Sequence, residues 1–136
     1  MSDSQPLRTV IVGAGRGAVH AEALAALDRY EITGVCDLDR ARADDVAARF
    51  GIGGVFTDAR DMFRTCQPDI VAVTTPTLSH AEVTILAAEA GARAICCEKP
   101  FARNLEEARR MVDVCDKNGI PLTIAHQRRL DPIFIT

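Results

Sequence analysis

The stretch from Thr9 to Asp37 restricts the fold of this chain more than any other part of the sequence. It opens on the apolar, β-branched run Val10-Ile11-Val12, which predicts a strand buried on both faces. Residues 13–18 read Gly-Ala-Gly-Arg-Gly-Ala and fit the pattern G-x-G-x-x-G/A, with alanine in the last place. A segment of helix length and a second apolar run follow, and that run leads to the aspartate. Strand, glycine loop, helix, strand and carboxylate in this order predict a βαβ unit that binds a dinucleotide.

The small residues of the loop have separate predicted roles. Gly13 allows a sharp turn out of the strand, and Gly15, which has no Cβ, lets the backbone approach a pyrophosphate closely. The small side chain of Ala18 lets the following helix pack near the strand. That helix would point its unpaired N–H groups and the positive end of its dipole at the phosphates. The loop residues assigned to the cofactor are Gly13, Gly15, Arg16, Gly17 and Ala18.

Asp37 follows Gly17 by twenty residues, where a carboxylate can accept hydrogen bonds from the ribose hydroxyls of adenosine. A carboxylate there would repel the 2′-phosphate of NADP, so the sequence favours NAD. Arg40 lies close enough to hold that phosphate, and NADP therefore stays open as the alternative cofactor. The alternative for the whole motif is a set of glycines that only close a tight βα turn.

Composition narrows the class of protein. The 136 residues suit one domain, and a net charge of −3 gives no reason to expect nucleic acid or an anionic membrane as a partner. No apolar run approaches the length of a membrane span, and the first residues lack the regions of a signal peptide. We therefore expect a cytoplasmic protein.

The five cysteines form no C-x-x-C pair, and the three histidines have no ligand-like spacing to them, so no metal site is expected. Most of the cysteines are expected to be small buried hydrophobic residues in a reducing compartment. Cys97 is the one candidate nucleophile, because it precedes a polar cluster, although nothing near it is an obvious base.

Short apolar runs alternate with helical patterns along the whole chain. Strands are predicted at about 7–12, 31–36, 55–56, 69–74, 94–97 and 122–125. Helices are predicted at about 16–29 and 39–50, then from Asp58 to Arg64, Ser79 to Gly91 and Asn104 to Gly119. This alternation predicts an α/β fold, a doubly wound parallel six-stranded sheet in the order 3-2-1-4-5-6.

Helix starts are marked by side chains that can cap them. Asp39 and Asp58 are predicted N-caps. Ser79 with Glu82, and Asn104 with Glu107, match the capping-box spacing. The last helix should bury one face of apolar residues, namely Ala108, Met111, Val112 and Cys115.

In a parallel sheet of this kind, ligands bind outside the carboxyl ends of the strands, so the residues after several strands should line one cleft. These residues are Gly13 to Gly17, Asp37, Thr75-Pro76, Glu98-Lys99-Pro100 and His126-Gln127-Arg128. Glu98 and Lys99 can serve there as a general acid or base, or as a donor to a substrate oxygen. The alternative for them is a surface ion pair before a proline that ends the strand.

These motifs together resemble a known family. They are the glycine loop with His20 after it, V-C-D at 35–37, T-P-x-x-x-H at 75–80, E-K-P at 98–100, N-L-E-E-A at 104–108 and H-x-R-R-x-D-P at 126–132. The chain is similar over essentially its whole length to the N-terminal domain of the Gfo/Idh/MocA family of sugar and polyol oxidoreductases.

The resemblance implies a role for each matched residue. The cofactor would contact Thr75, Pro76, His80, Glu98 and Lys99, in addition to the glycine loop and Asp37. Lys99 would be the catalytic residue at the oxygen of the reacting carbon, and a cis Lys99–Pro100 bond would turn it into the cleft. His126 and Arg128 would lie on the substrate side.

For three basic side chains in these motifs, a structural role is weighed against a role in binding. For His20 we favour packing within its helix or a local hydrogen bond. His80 has two open interpretations, a helix-start residue and a cofactor contact. Arg129 is expected to be a solvated charge rather than a ligand.

The family pattern continues into a second α/β domain, which supplies most substrate contacts and the usual oligomer interface. Against that pattern, the chain divides into a disordered tail (1–6), a dinucleotide-binding domain (7–129) and the start of a connection to an absent C-terminal domain (130–136). The expected partners are a sugar or polyol substrate and either further copies of the chain or a complementing C-terminal domain.

Two functions follow from the sequence. The first is the cofactor domain of an NAD(P)-dependent oxidoreductase, which moves a hydride between nicotinamide and a sugar, inositol or related polyol. Alone it would be poorly active, since nothing would hold the alcohol or exclude water. The alternative is a non-catalytic module that senses the nucleotide. The retained Lys99 and the segment 126–128 favour the first.

Overall fold

Six parallel strands form one sheet in the order β3-β2-β1-β4-β5-β6, which confirms the predicted topology. The structure, a computed structural model, describes residues 5–133. The strands are β1 Leu7–Val12, β2 Tyr30–Cys36, β3 Gly54–Phe56, β4 Ile70–Val73, β5 Ala94–Cys97 and β6 Leu122–Ile124. The helices are α1 Ala14–Ala25, α2 Arg40–Phe50, α3 Ala59–Cys66, α4 His80–Glu89 and α5 Leu105–Lys117. Two single 3₁₀ turns, Thr77–Ser79 and Gln127–Leu130, follow β4 and β6.

The apolar residues of β1 alternate between the two faces of the sheet and create two cores. Val10 and Val12 pack with residues of α3, α4 and α5 on one face. Ile11 packs with residues of α1 and α2 on the other. All three side chains are at most 4 % exposed, as expected for a central strand covered on both sides.

The strands are in register at their carboxyl ends. Val12 pairs with Cys36 on one side and with Val73 on the other, and Val73 pairs with Cys97. The residues that follow these four strands therefore start at one edge of the sheet. This alignment explains how the glycine loop, the aspartate after β2 and the Glu-Lys pair after β5 come together.

Most predicted helix caps are present. Asp39 accepts from the N–H of Ala41, and Asp58 accepts from the N–H groups of the first turn of α3. Gly51 ends α2 with φ = 65°, a left-handed conformation that glycine adopts without a Cβ clash. Asn104 accepts from the N–H of Glu107 at 2.9 Å and begins α5.

The Ser79 capping box is wrong. Its hydroxyl donates to the carbonyl of Pro76 at 3.1 Å and does not cap α4. A 3₁₀ turn precedes this helix, so Ser79 faces back along the chain. The box at Asn104 is half formed, because the Glu107 carboxylate bonds the backbone and guanidinium of Arg103 instead of the cap residue.

The predictions for α1 and for the buried face of α5 also need correction. α1 begins at Ala14, inside the glycine motif, rather than at residue 16, and it ends at Ala25 rather than at 29. Val112 is 41 % exposed and does not belong to the buried face of α5, which Met111 and Cys115 form. The outermost parts of the predicted tail and connection, residues 1–4 and 134–136, lie outside the described residues.

An ion pair lies at the amino-terminal edge of the sheet, opposite the carboxyl ends of the strands. Asp69, just before β4, accepts from the backbone N–H of Arg8 at 3.0 Å and from its Nε at 3.2 Å, and Arg93 lies 3.6 Å away. The hydrogen bond from the Arg8 side chain is the main cause that holds the pKa of Asp69 below its usual value.

Asp69→Asn is expected to lower the free energy of unfolding at neutral pH by about 1–2 kcal/mol, because the uncharged amide oxygen is a weaker acceptor than the carboxylate. The folded pKa lies below the unfolded value of about 3.9, so this stabilisation is present above that value and disappears as pH falls through the folded pKa. Urea unfolding at neutral and acidic pH should show the wild-type advantage shrinking in acid. The exposed pair Asp61–Arg64 offers the control, and Asp61→Asn should change stability by less than about 0.5 kcal/mol. An Asp69→Asn deficit that stays constant with pH would contradict the assignment.

Candidate functional site

The glycine loop is fixed by the end of β4. Gly13 has φ = 102°, and a Cβ there would lie 2.6 Å from the carbonyl carbon of Thr74 and from the nitrogen of Thr75. The N–H of Gly13 donates to the carbonyl of Cys36 at 2.7 Å, and the hydroxyl of Thr74 donates to the Gly13 carbonyl at 2.7 Å. The turn predicted at this glycine is therefore locked by backbone on two neighbouring strands.

Gly15 and Gly17 differ in surroundings. A Cβ on Gly15 would meet no atom within 4 Å, so this residue leaves open space above the start of α1, as predicted for a close approach of phosphate. A Cβ on Gly17 would lie 2.5 Å from Cγ2 of Ile11. The tight contact between helix and strand therefore falls on Gly17, whereas the sequence analysis assigned it to Ala18.

Asp37 touches the glycine loop directly. Its Oδ2 accepts from the N–H of Ala14 at 2.8 Å, and its Oδ1 accepts from the N–H of Asp39 at 2.9 Å. The side chain is half-buried, and each carboxylate oxygen keeps acceptor capacity for a further donor. The carboxylate is thus held at the start of α1, where a sugar next to the pyrophosphate would lie.

A cavity of about 470 Å³ opens beside Asp37 at the carboxyl ends of β1 to β4. Its lining includes Gly13, Asp37, Leu38, Arg42, Thr75 and Pro76. The volume is in the range of small-molecule and cofactor sites. Arg40, considered for a 2′-phosphate, is not in the lining and instead pairs with Asp44 on the exposed face of α2 at 3.0 Å. Arg42 is the arginine of α2 that borders the cavity.

Residues of this edge fit a dinucleotide. The start of α1 presents backbone N–H groups over the open space at Gly15, and Asp37 presents carboxylate oxygens beside it. The hydroxyl of Thr75 is buried and has no hydrogen-bond partner among residues 5–133. An unpartnered buried hydroxyl is costly unless a ligand or water bonds it, and this one borders the cavity.

Glu98 is the centre of a charged cluster on the other side of the loop. Its Oε1 accepts from Nε of Arg16 at 3.2 Å and from Nε2 of His20 at 2.9 Å, and its Oε2 accepts from the N–H of Lys99 at 3.1 Å. The residue is 5 % exposed. Burial opposes its ionisation, but the bonds from His20 and Arg16 outweigh burial and lower the pKa of Glu98.

The cluster contradicts the prediction for His20 and leaves the one for Glu98 a prediction. His20 makes a hydrogen bond to a residue 78 positions away, so the expected local bond or helix packing is wrong. Glu98 was expected to contact the cofactor, and the structure engages both of its oxygens with protein donors. Arg16 also lies within reach of Gln127, whose amide accepts from it at 3.0 Å and donates to the carbonyl of Ala125.

His80 holds two loops of the site together. Its Nε2 lies 2.8 Å from the carbonyl of Thr75, and its Nδ1 lies 2.9 Å from the carbonyl of Pro100. The residue is 1 % exposed, so the ring is enclosed by protein and acts on the site through these backbone contacts. Of the two interpretations left open, the helix-start position is observed, since α4 begins at His80.

The remaining predicted site residues lie on the solvent side of the same edge. Lys99 is exposed, and its bond to Pro100 is cis. His126 and Arg128 are exposed; His126 precedes the 3₁₀ turn after β6, and Arg128 lies within it. All three side chains lie on segments that follow β5 or β6 at the carboxyl edge of the sheet.

The candidate nucleophile Cys97 lies in the core at the end of β5. Cys97 is fully buried, and burial is the main cause that raises its pKa to about 12, which excludes a thiolate nucleophile at neutral pH. All five cysteines are free thiols. Among residues 5–133 no group of His, Cys, Asp and Glu side chains could hold a metal ion.

A parallel sheet in this order, with a glycine loop packed on β4 and a carboxylate bonded to that loop, defines a dinucleotide-binding domain of the Rossmann type. Comparison with protein families then identifies the family. The chain belongs to the Gfo/Idh/MocA oxidoreductase family, whose NAD-binding Rossmann fold matches residues 7–126. The family suggested by the sequence motifs is therefore confirmed.

Curated relatives include dehydrogenases of sugars. D-glucoside 3-dehydrogenase of Escherichia coli (strain K12) is 39 % identical over 118 residues, which cover 85 % of this chain and 33 % of that protein. D-apiose dehydrogenase of Paraburkholderia graminis is 39 % identical over 113 residues, with 83 % and 30 % covered. The chain thus spans about a third of the length of these relatives.

Solved structures have the same fold. Myo-inositol 2-dehydrogenase from Lactobacillus plantarum superposes with a TM-score of 0.87 at 30 % identity, over 93 % of this chain and 38 % of that one. The WlbA dehydrogenase from Bordetella pertussis, solved with NADH and UDP-GlcNAcA, gives a TM-score of 0.87 at 30 % identity, over 93 % of this chain and 39 % of that one.

Within the described part of our chain, every helix is too short or too polar to span a bilayer.

Proposed function

We propose that this domain binds NAD(H) and forms the cofactor half of an oxidoreductase that moves a hydride between nicotinamide and an alcohol carbon of a sugar, inositol or related polyol. The observation that carries the proposal is the bond between Asp37 and the start of α1. It places a carboxylate beside the helix terminus that would receive the pyrophosphate. Relatives that are sugar and inositol dehydrogenases support the substrate class.

The proposed cofactor contacts divide along the cleft. Residues 13–18 and the start of α1 would bind the pyrophosphate, and Asp37 would accept from the adenosine ribose hydroxyls. Thr75 and Pro76 would border the middle of the dinucleotide, since both line the cavity. When bound, the nicotinamide supplies or accepts the hydride.

Lys99 is the proposed catalytic residue of this chain. It is the exposed cation directly after β5, and a protonated amine there can donate to a substrate oxygen and stabilise the alkoxide that develops at that oxygen. His126 and Arg128 would bind substrate hydroxyls at the rim. A further domain, or another copy of the chain, would cover the alcohol and exclude water.

The free thiols support a reducing compartment, and we place the protein in the cytoplasm on that ground. Neither nucleic acid nor a membrane is part of the proposal, because the net charge of −3 gives no reason to expect such partners.

Asp37→Ala tests the proposal by calorimetry with NADH and NADPH. We expect wild type to prefer NADH, and the variant to lose about tenfold or more in NADH affinity, because hydrogen bonds to a charged acceptor are each worth about 1.5–3 kcal/mol. The preference over NADPH should shrink at the same time, since the repulsion of the 2′-phosphate is gone. Asp44→Ala removes a carboxylate from the exposed face of α2 and should change neither affinity. Absence of binding in wild type, or equal affinities in wild type and Asp37→Ala, would contradict the proposed site.

A further inference from the structure

His20 and Arg16 form a pair on one face of α1. They are four residues apart, so their side chains project from the same side of the helix. Both bond the same oxygen of Glu98, at 2.9 Å and 3.2 Å. The His20 side chain is 19 % exposed and that of Arg16 is 46 % exposed. His20 is therefore the better enclosed of the two donors.

Glu98 links the side chains on α1 to the backbone of Lys99. Its backbone N–H donates to the carbonyl of Val73 at 2.9 Å, which fixes the main chain to β4. Its second carboxylate oxygen accepts from the N–H of Lys99 at 3.1 Å. The orientation of the peptide group that leads into Lys99 thus depends on where the carboxylate is held.

We propose that His20 is a positioning residue for Lys99 and acts by holding the Glu98 carboxylate against the start of α1. The inference deepens the proposed function and rests on it, because Lys99 is the proposed catalytic residue. Since a carboxylate only accepts, Nε2 of His20 carries the hydrogen of this bond. The same donors connect the glycine loop to the lysine loop, so the two halves of the cofactor cleft are tied through a single carboxylate.

Two basic side chains contact the Glu98 carboxylate. Among residues 5–133 these are Arg16 and His20, both from α1, and His20 is the less exposed of the two. The thiols of Cys96 and Cys97 lie on the strand that precedes it. From the turn after β6, Gln127 bonds Arg16, so this arginine is shared between two acceptors.

The test uses selective labelling. The sequence contains two lysines, so protein labelled with ¹⁵N-lysine gives two backbone amide signals, one from Lys99 and one from Lys117 as an internal reference. The Lys99 signal reports its bond to Glu98, and its movement with pH reports the ionisation of that carboxylate. The Lys117 signal, from the end of α5, reports neither that bond nor that ionisation.

Three substitutions of His20 separate its hydrogen bond from its bulk. In His20→Leu the Lys99 signal should shift, and its pH midpoint should rise by about 1–2 units, because a buried carboxylate loses a favourable donor. His20→Asn should behave in the same way, since its amide is too short to reach, and it keeps a polar group should the leucine variant not fold. His20→Gln places a donor close to the position of Nε2 and should restore the wild-type signal and midpoint. Glu22→Gln, on the exposed side of α1, is the matched control and should change nothing.

The inference is overturned by an unchanged Lys99 signal in His20→Asn and His20→Leu, or by a glutamine variant that resembles the leucine variant. Calorimetry with NADH on the same samples keeps this result distinct from the proposed function. Wild type that fails to bind NADH would contradict the proposed function, whereas the amide signals would still decide whether His20 positions Lys99.

Discussion

Gly13→Ala is expected to lower the free energy of unfolding by about 3–5 kcal/mol, through strain at a left-handed φ and overpacking against a neighbouring strand. The residue has φ = 102°, and the added Cβ would meet Thr74 and Thr75 backbone atoms at 2.6 Å. Those are backbone atoms of the segment directly after β4, and they cannot rotate away as a flexible side chain could. Urea unfolding followed by circular dichroism measures the loss.

Gly15→Ala is the matched control, because the same added methyl group would meet no atom within 4 Å. This variant should keep its stability to within about 1 kcal/mol. It should nevertheless bind NADH more weakly, since the methyl group would occupy the space reserved for the pyrophosphate. If both variants unfolded at the same urea concentration, the assigned roles of the two glycines would be wrong.

Lys99→Met is expected to reduce hydride transfer by about 10²–10⁴-fold, the usual contribution of a positioned acid or base. Methionine keeps the length and apolar stem of the side chain and removes the charge and the donor. The rate is followed as NADH formation from inositols and aldoses by the proposed oxidoreductase. Binding of NADH should change less than this rate, because the charge of Lys99 acts on the substrate oxygen.

Lys117→Met provides the control within the same chain, since this is the second of the two lysines and lies in the last turn of α5. It should retain the wild-type rate. A Lys99→Met enzyme with the wild-type rate would remove the lysine from the proposed chemistry. An equal loss in both variants would point to a general effect of lost charge.

Local sequence signals predicted the elements that local physics decides. The strand Val10-Ile11-Val12, the turn at Gly13 and the caps at Asp39 and Asp58 depend on side chains a few residues apart. Hydrophobic periodicity and turn chemistry act over that range. The strand order could be predicted from these elements, because connections between parallel strands are right-handed. The box at Ser79 failed because a 3₁₀ turn after Pro76 redirected its hydroxyl.

Contacts between distant segments could not be predicted in the same way. The bond from His20 to Glu98 joins positions 78 apart, and nothing in the spacing of either residue indicates the other. The close packing of Gly17 on Ile11 likewise depends on how α1 crosses β1, so the sequence alone pointed to the neighbouring alanine. His80 was ambiguous for the same reason, since its two carbonyl partners come from different loops.

The sequence by itself predicted the βαβ unit, the edge of the sheet proposed to bind a ligand and the residues at that edge, because periodicity and glycine spacing are local and parallel strands share one carboxyl edge. The tertiary structure decided which of those residues bond one another. It assigned His20, Arg16 and Glu98 to a mutual cluster and Asp37 to the start of α1. Hydrogen-bond partners are chosen by distances of about 3 Å in space, and these are set only when the elements have packed.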